Sequence, residues 1–537
     1  MSLSLTFSDW IVFAIVLGSS LYYGLYMSYR KKASQNSAHF FLGGRNITWP
    51  IVGASLFATN IGAEHLVGLS GDAFRYGLSA GSVEIMTIIP LGIGCAILYP
   101  YYLKNKIFTI PEFLELRFNH HARTFFSLFM LIISVMTKLA FTIFAAALVM
   151  YSLLGWDIMS TVVCIAVIVA VFTMIGGYTA VAYTDTIQVM IMIVAGIILL
   201  AFGLNKVGGW NELVIKAPEM MHIAKPYDDP VYPFWGILAT AFYAGAFYWG
   251  IDQVNVQRVL AASDIKTARK GAMFAALLKL LPVFIFALPG VIAFALYPGE
   301  LNGEESKQTF VLLMNKLLPS GLRGLLLASL FAALISSLIA VFNSVSTLVV
   351  RDFLLKFKPA MTEKGQVSSG RIVIILAALL GIGAAWLVYQ NEEGLYKYLQ
   401  TISAYLVIPI FPAIFFGIIS KKVTVKGAGV SVLVGVVLST IFVVDQLLGP
   451  ETGRQLFPFL HHPLTLNFGY RGLWAEILIT IVLFAVSAFT EKTAPEKLAK
   501  TTINFKGGIA KFEGIRDWRL HLAIILTLTL LIYFWLK

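Results

Sequence analysis

Apolar residues in this chain fall into long continuous runs, not the 3.6- or 2-residue alternation of water-facing helices and strands. Such runs lie near 8–28, 48–75, 79–103, 123–152, 159–176, 180–204, 233–257, 271–297, 320–350, 369–389, 395–420, 424–447, 473–490 and 519–536. A helix of roughly 20 apolar residues crosses a hydrocarbon layer about 30 Å thick. The pattern therefore predicts an all-α membrane protein of about fourteen transmembrane helices. Several runs are longer than one crossing needs, which predicts tilt or a local break. The first run has no basic stretch ahead of it and exceeds the apolar part of a secretory signal, so it is expected to remain in the mature protein.

Most basic residues lie in the short segments between runs. Those after odd-numbered runs hold Arg30, Lys31, Lys32, Lys104, Lys106, Arg117, Arg123, Arg258, Lys266, Arg269, Lys270, Arg351, Lys421 and Lys422 among others, and the basic stretch Lys492 to Arg519. The alternate set is poorer by about threefold and diluted by Asp228, Asp229, Glu300, Glu304 and Glu305. By the positive-inside rule the first set is cytoplasmic. Both termini are then expected outside, in a multi-pass protein of the cell (inner) membrane.

Composition agrees: over 537 residues, 58% are hydrophobic and 13% charged, which fits contact with a lipid bilayer and not an aqueous surface. The formal net charge of +12 follows from those cytoplasmic loops and implies no nucleic-acid partner. Cys95 and Cys164 lie within apolar runs without metal-ligand spacing and read as packing residues. No phosphate-binding loop, dinucleotide fingerprint or HExxH occurs, so the sequence offers no sign of an enzyme.

Polar residues inside a membrane are costly, and those that persist there are candidate sites. The segment Ala58-Thr59-Asn60-Ile61-Gly62-Ala63-Glu64-His65 interrupts the second run; an unwound stretch there would free carbonyl oxygens for a cation, whereas an intact helix would simply pack its polar face on neighbours. Ala333-Leu334-Ile335-Ser336-Ser337 in the ninth run offers hard oxygen ligands of the kind sodium takes, although serine pairs also serve helix packing. Glu84, Lys138, Asp252 and Lys279 are charges inside runs and should pair or face a wet cavity. Tyr243, Phe247, Tyr248 and Trp249 beside Gly245 could stack on a sugar ring or merely pack. Gln400, with Tyr396, Thr401 and Ser403, could bond hydroxyls or bridge helices.

Several separated motifs occur in one order: Gly53-Ala54-Ser55 through Asn60-Ile61-Gly62, Gly176-Gly177-Tyr178-Thr179-Ala180-Val181 followed by Thr184-Asp185 and Gln188, Asp252-Gln253 with Gln257-Arg258, and Ser336-Ser337 with Asn343-Ser344. In these the chain resembles the sodium/solute symporter family over nearly its whole length, and within it the sodium/glucose cotransporter branch. The resemblance implies a five-plus-five inverted-repeat core with broken helices. Residues 48–204 would form the first repeat and 233–420 the second, with 1–47 before them, an external loop at 205–232 and three helices in 421–537. It implies a sodium site from the backbone oxygens of Ala58, Ile61 and Ala333 and the hydroxyls of Ser336 and Ser337, with Asp185 close by. It also implies that His65, Glu84, Thr87, Lys279 and Gln400 bind a sugar, that Tyr248 stacks on it as inner gate with Trp249 in support, and that Leu69, Val83 and Tyr396 form an outer gate.

Gly245 stands where similar sugar transporters place Asn or Thr, and Ile339 and Ala340 stand where a second sodium site would offer hydroxyls; one sodium per sugar is expected. The function implied is sodium-coupled uptake of a glucose- or galactose-like sugar by alternating access, with sodium the transported ion. A symporter of another polar solute, such as an inositol or a carboxylate, would share the sodium set. A carboxylate would call for an arginine in the pocket, and the sequence reading places no arginine inside the membrane. A sugar sensor or channel on the same fold would pass sodium without coupled sugar.

Overall fold

The computed structural model describes residues 5–31, 36–62, 64–301, 303–390, 405, 407–462, 465, 467–503 and 512–536. Among them the regular structure is helical, without a β-strand. That is what hydrocarbon demands, because a helix satisfies its own backbone N–H and C=O groups.

In chain order the principal helices are α1 (Phe7–Arg30), α2 (Trp49–Asn60), α3 (His65–Lys104), α4 (His120–Tyr151), α5 (Ile158–Val207), α6 (Phe234–Gly250), α7 (Gln253–Leu260), α8 (Ile265–Leu296), α9 (Leu322–Phe357), α10 (Glu363–Gln390), α11 (Phe411–Ile419), α12 (Val425–Gly449), α13 (Phe468–Ala488) and α14 (Trp518–Trp535). Ten are long and apolar enough to cross a membrane, and the pair α6 and α7, bent by 59°, makes an eleventh. The sequence pattern predicts about fourteen crossings, and the difference lies in the interruptions. At 1.5 Å per residue, the 40 residues of α3 and the 50 of α5 correspond to roughly 60 and 75 Å, about twice the hydrocarbon thickness. Each carries a glycine at positive φ, Gly77 (φ 79°) and Gly177 (φ 53°), where the apolar pattern predicts a gap. The predicted run 48–75 divides into α2 and the start of α3. Of the run 395–420, residues 395–404 and 406 lie outside the described residues, and α11 is its described helix.

Burial separates core from periphery. The most apolar stretch of α9 is 89% buried, and that of α14 only 11%. α9 packs on α5 and α1, and α2 on α8 and α5. Helices α2, α5 and α9, which carry the candidate ion ligands, therefore sit at the centre, and α14 faces lipid with Leu530, Leu531 and Phe534 exposed. Buried cations brace the loops. Arg117 donates from Nε to Gly417 O (2.6 Å) and from Nη2 to Val423 O (2.9 Å), while Arg123 pairs with Asp352 (2.7 Å) and Glu115 (2.6 Å).

Gly177 is needed where it stands. Its φ is one that side chains rarely adopt, and a Cβ there would meet Phe40 Cδ2 at 2.7 Å and the Phe40 carbonyl oxygen at 2.9 Å. Gly177→Ala is expected to destabilise the protein by about 1–3 kcal/mol. Gly383, with open space where its Cβ would stand, gives the contrast. A thermal-unfolding comparison in detergent should show a lower midpoint for Gly177→Ala and an unchanged or higher one for Gly383→Ala.

Candidate functional site

The site begins where α2 stops. Its last helical residue is Asn60, and Ile61 turns extended (φ −84°, ψ 104°). The N–H groups that would close the next helical turn go elsewhere: Gly62 N donates to His65 Nδ1 (3.2 Å), and His65 N to Gly62 O (3.1 Å). In a continuous helix they would bond the carbonyls of Ala58 and Ile61. Those two oxygens are released from the ladder at the protein centre, where both residues are fully buried. Helix α9 runs unbroken past this point, α-helical over Leu322–Leu348.

The α9 hydroxyls face the break. Ser337 Oγ lies 3.5 Å from Thr59 O, and Ser336 Oγ donates to Asp185 Oδ1 on α5 (2.6 Å). The second Asp185 oxygen accepts from Ser55 Oγ of α2 (2.5 Å). A hydroxyl that spends its one proton on a carboxylate turns its lone pairs away from it, which leaves the Ser336 oxygen an acceptor or cation ligand. Thus Ser336, Ser337 and Asp185 meet Ser55 and Thr59 of α2 where α2, α5 and α9 join, with Ala58 and Ile61 one and two residues from Thr59 along the chain. Ala333 lies one turn before Ser337 on α9 and is fully buried.

On the other side of the break a polar cluster forms around two charges. Glu84 and Lys279 are buried and form an ion pair, and His65 Nε2 stands 3.2 Å from Glu84 Oε1. Lys279 caps the first segment of α8, Ile265–Leu278, and Pro282 just beyond has no N–H with which to continue the ladder. A lysine at a helix C-terminus is electrostatically favoured. Lys279 also bonds the Asn60 side-chain oxygen, and Asn60 Nδ2 donates to Tyr248 Oη (3.2 Å). Its ammonium lies 5.8 Å from the ring centres of both Phe57 and Trp249. Tyr248 and Trp249 meet edge to face at 5.3 Å, and the Trp249 carbonyl accepts from Tyr99 Oη (2.9 Å).

The remaining candidates are less closely gathered. Thr87 shares the helical face of Glu84 and donates to Val83 O in its own helix (3.4 Å). Leu69, one turn after His65, is nearly buried, whereas Val83 is 47% exposed. Tyr396 and Gln400, with Thr401 and Ser403, lie outside the described residues. A Cβ at Gly245 would stand 3.1 Å from Pro90 Cγ, so a larger side chain there would press on α3.

The structure gives contacts to residues that the sequence reading names only as members of motifs. Ser55 and Thr59 carry the polar link from α2 to α5 and α7, and Asn60 ties the break to both Lys279 and Tyr248. Arg258, which the charge pattern assigns to a cytoplasmic loop, is held within the protein core. It is fully buried on α7, donating from Nε to Thr59 Oγ1 (2.8 Å) and from Nη1 to Val254 O (2.9 Å). The apolar pattern ends one residue before it, and only tertiary packing draws the next turn inside. A cavity of about 360 Å³ opens beside the site, lined by Thr59, Ser337, Tyr248, Lys138 and Asp252, the last two ion-paired.

Known proteins share this architecture. The chain is 29% identical to the human sodium/myo-inositol cotransporter over 529 residues, covering 88% of this chain and 72% of that one. It is 31% identical to sodium/glucose cotransporter 1 of Ovis aries over 500 residues, covering 85% and 74%. The solved structure of a substrate-bound, outward-open Na+-coupled sialic acid symporter superposes with a TM-score of 0.75 at 21% identity, covering 91% of this chain and 99% of that one. Mhp1, a nucleobase-cation-symport-1 family transporter, gives 0.55 at 14% identity, covering 87% and 98%. The fold is thus the five-plus-five inverted-repeat core with broken helices that sodium-coupled transporters use. The profile of the sodium:solute symporter family matches residues 40–435. With a broken α2 facing an intact α9 and with that match across most of its length, this chain belongs to the sodium:solute symporter family, a multi-pass membrane transporter and not an enzyme, which couples solute movement to sodium.

Proposed function

We propose that the chain carries a glucose- or galactose-like sugar into the cell together with one sodium ion. The observation that carries this reading is the rupture of α2 between Asn60 and His65: one side offers oxygens suited to a monovalent cation, the other a charged and aromatic cluster suited to hydroxyl groups. Sodium would be held by the Ala58, Ile61 and Ala333 carbonyls and by Ser336 and Ser337, with Asp185 orienting Ser336. Neutral oxygen donors next to a single buried carboxylate suit a weakly held monovalent cation. His65, Glu84, Thr87, Lys279 and Gln400 would bond the sugar, Tyr248 and Trp249 would face its ring from the inner side, and Leu69, Val83 and Tyr396 would close from the outer side.

Because Asn60 touches both Lys279 and Tyr248, order imposed on the α2 break by sodium reaches the solute cluster directly, and binding of each is strengthened by the other to the same degree. A membrane potential near 100 mV adds about 2.3 kcal/mol per charge moved. Ile339 and Ala340 are fully buried and lack side-chain oxygen, which supports a single ion per cycle. The charge asymmetry of the loops supports a cell-membrane location with both termini outside. The repeats would span 48–204 and 233–420. Myo-inositol presents a similar ring of hydroxyls and is the solute named for several relatives, so it is the second reading.

Sodium-driven uptake into proteoliposomes of labelled glucose, galactose, mannose and myo-inositol separates these readings. A preference for glucose or galactose is expected, a preference for inositol transfers the assignment to it, and equal uptake in potassium overturns the coupling. Ser337→Ala removes one ligand and is expected to raise the sodium concentration for half-maximal uptake about tenfold, equivalent to roughly 1.4 kcal/mol. Glu84→Gln leaves Lys279 buried without its carboxylate, a change that costs about 3–5 kcal/mol. It is expected to abolish uptake and lower the unfolding midpoint. Adding Lys279→Met should recover the midpoint but not uptake, and recovery of both would remove the pair from solute binding.

A further inference from the structure

The Lys138–Asp252 pair is a second ion pair, beside Tyr248. Asp252 sits at the bend between α6 and α7, where one carboxylate oxygen accepts from Val254 N (3.1 Å), and its side chain is only 2% exposed. Lys138 arises from a widened turn of α4, Ile133–Leu139, and its side chain is 24% exposed. Its ammonium lies 5.8 Å from the Tyr248 ring centre. Both residues line the 360 Å³ cavity that Thr59 and Ser337 also line, and Asp252 is the one acidic residue among the described residues of its wall. From Ser337 the lining runs along α9 to Val341, toward the end that carries Arg351, which the charge pattern reads as cytoplasmic.

We infer that Asp252 is a way station for the cation on its inward path, and that Lys138 is a tethered competitor that occupies the carboxylate whenever the ion does not. The inference rests on the sodium assignment proposed for α2 and α9. An ion leaving neutral hydroxyl and carbonyl ligands for the cytoplasm must cross a narrow, poorly hydrated passage, and a carboxylate on its wall lowers that barrier. An unoccupied carboxylate so buried would be costly, and would hold the ion too long once it arrived. An ammonium on a flexible four-carbon arm resolves both demands, because it neutralises Asp252 at rest, swings aside for the arriving cation and then displaces it. No bond is made or broken; one monovalent cation replaces another on the same oxygens. The more exposed partner is the mobile lysine and the buried one the fixed aspartate, as such an exchange requires.

The test is inhibition of sodium-driven uptake by sodium enclosed in the proteoliposomes, with glucose or myo-inositol as solute, whichever the panel identifies. Lys138→Gln is expected to lower the internal sodium needed for half-inhibition about tenfold, because the ion meets Asp252 without a competitor. Asp252→Asn is expected to raise it several-fold, and the double variant should behave as Asp252→Asn does. Lys138→Arg, a more persistent partner that keeps the charge, should raise it and serves if Lys138→Gln fails to insert. A plain structural brace predicts that both single variants shift the same way and that the double variant returns to the original behaviour; that result, or an unshifted Lys138→Arg, overturns the inference. Loss of sodium dependence in the unaltered protein would instead overturn the sodium assignment.

Discussion

Everything at the centre of this protein depends on how a membrane-buried backbone disposes of its hydrogen bonds. An unpaired carbonyl or N–H group in hydrocarbon costs several kcal/mol, so a helix that stops halfway across needs other partners for what it releases. α2 stops at Asn60, and its loose ends find partners near and far in the chain: the Gly62 N–H in the His65 ring, the Thr59 carbonyl in Ser337 across the interface. Ala58 and Ile61 lie at the same break, one and two residues from the Thr59 carbonyl that Ser337 of the intact α9 approaches. Such a break could not persist if α5 and α9 did not pack around it.

Charge is handled by the same logic of pairing. Glu84 meets Lys279, Lys138 meets Asp252, and Asp185 accepts from two serines while Arg258 stands on the neighbouring Thr59. Buried pairs of this sort contribute little net stability, since desolvation offsets most of the Coulomb gain. Their place in the core of a protein that could fill the space with leucine is what the proposed solute and cation exchange would require. Asn60 links the two halves, with its oxygen on Lys279 and its amide on Tyr248.

Much of this was legible in the residues. The segment from Ala58 to His65 is too polar for a lipid-facing helix, which marks the break, and the gap between residues 176 and 180 locates the kink at Gly177. The four charges inside apolar runs foretell pairing, though not which partner each takes: Lys138 and Asp252 are 114 positions apart and Glu84 and Lys279 are 195. The burial of Arg258 was not legible because hydropathy ends one residue before it, and that burial comes from the packing of α7 against α2 and α9. The number of crossings was less legible, because a glycine that turns the chain and a glycine inside a helix look alike until φ is known.

The sequence by itself determined that this is a helical membrane protein, where its apolar runs are interrupted, and, through ordered motifs, which family it belongs to. Those properties are local: they depend on the apolarity of about twenty neighbouring residues at a time and on residues that a helix cannot accommodate. Only the tertiary structure decided that Ser336 turns its proton to Asp185, that Lys279 reaches both Glu84 and Asn60, and that Thr59, Ser337 and Asp252 share one cavity. These are matters of a few ångströms between helices far apart in the chain, and they are set by how side chains interlock when the helices close around the broken one.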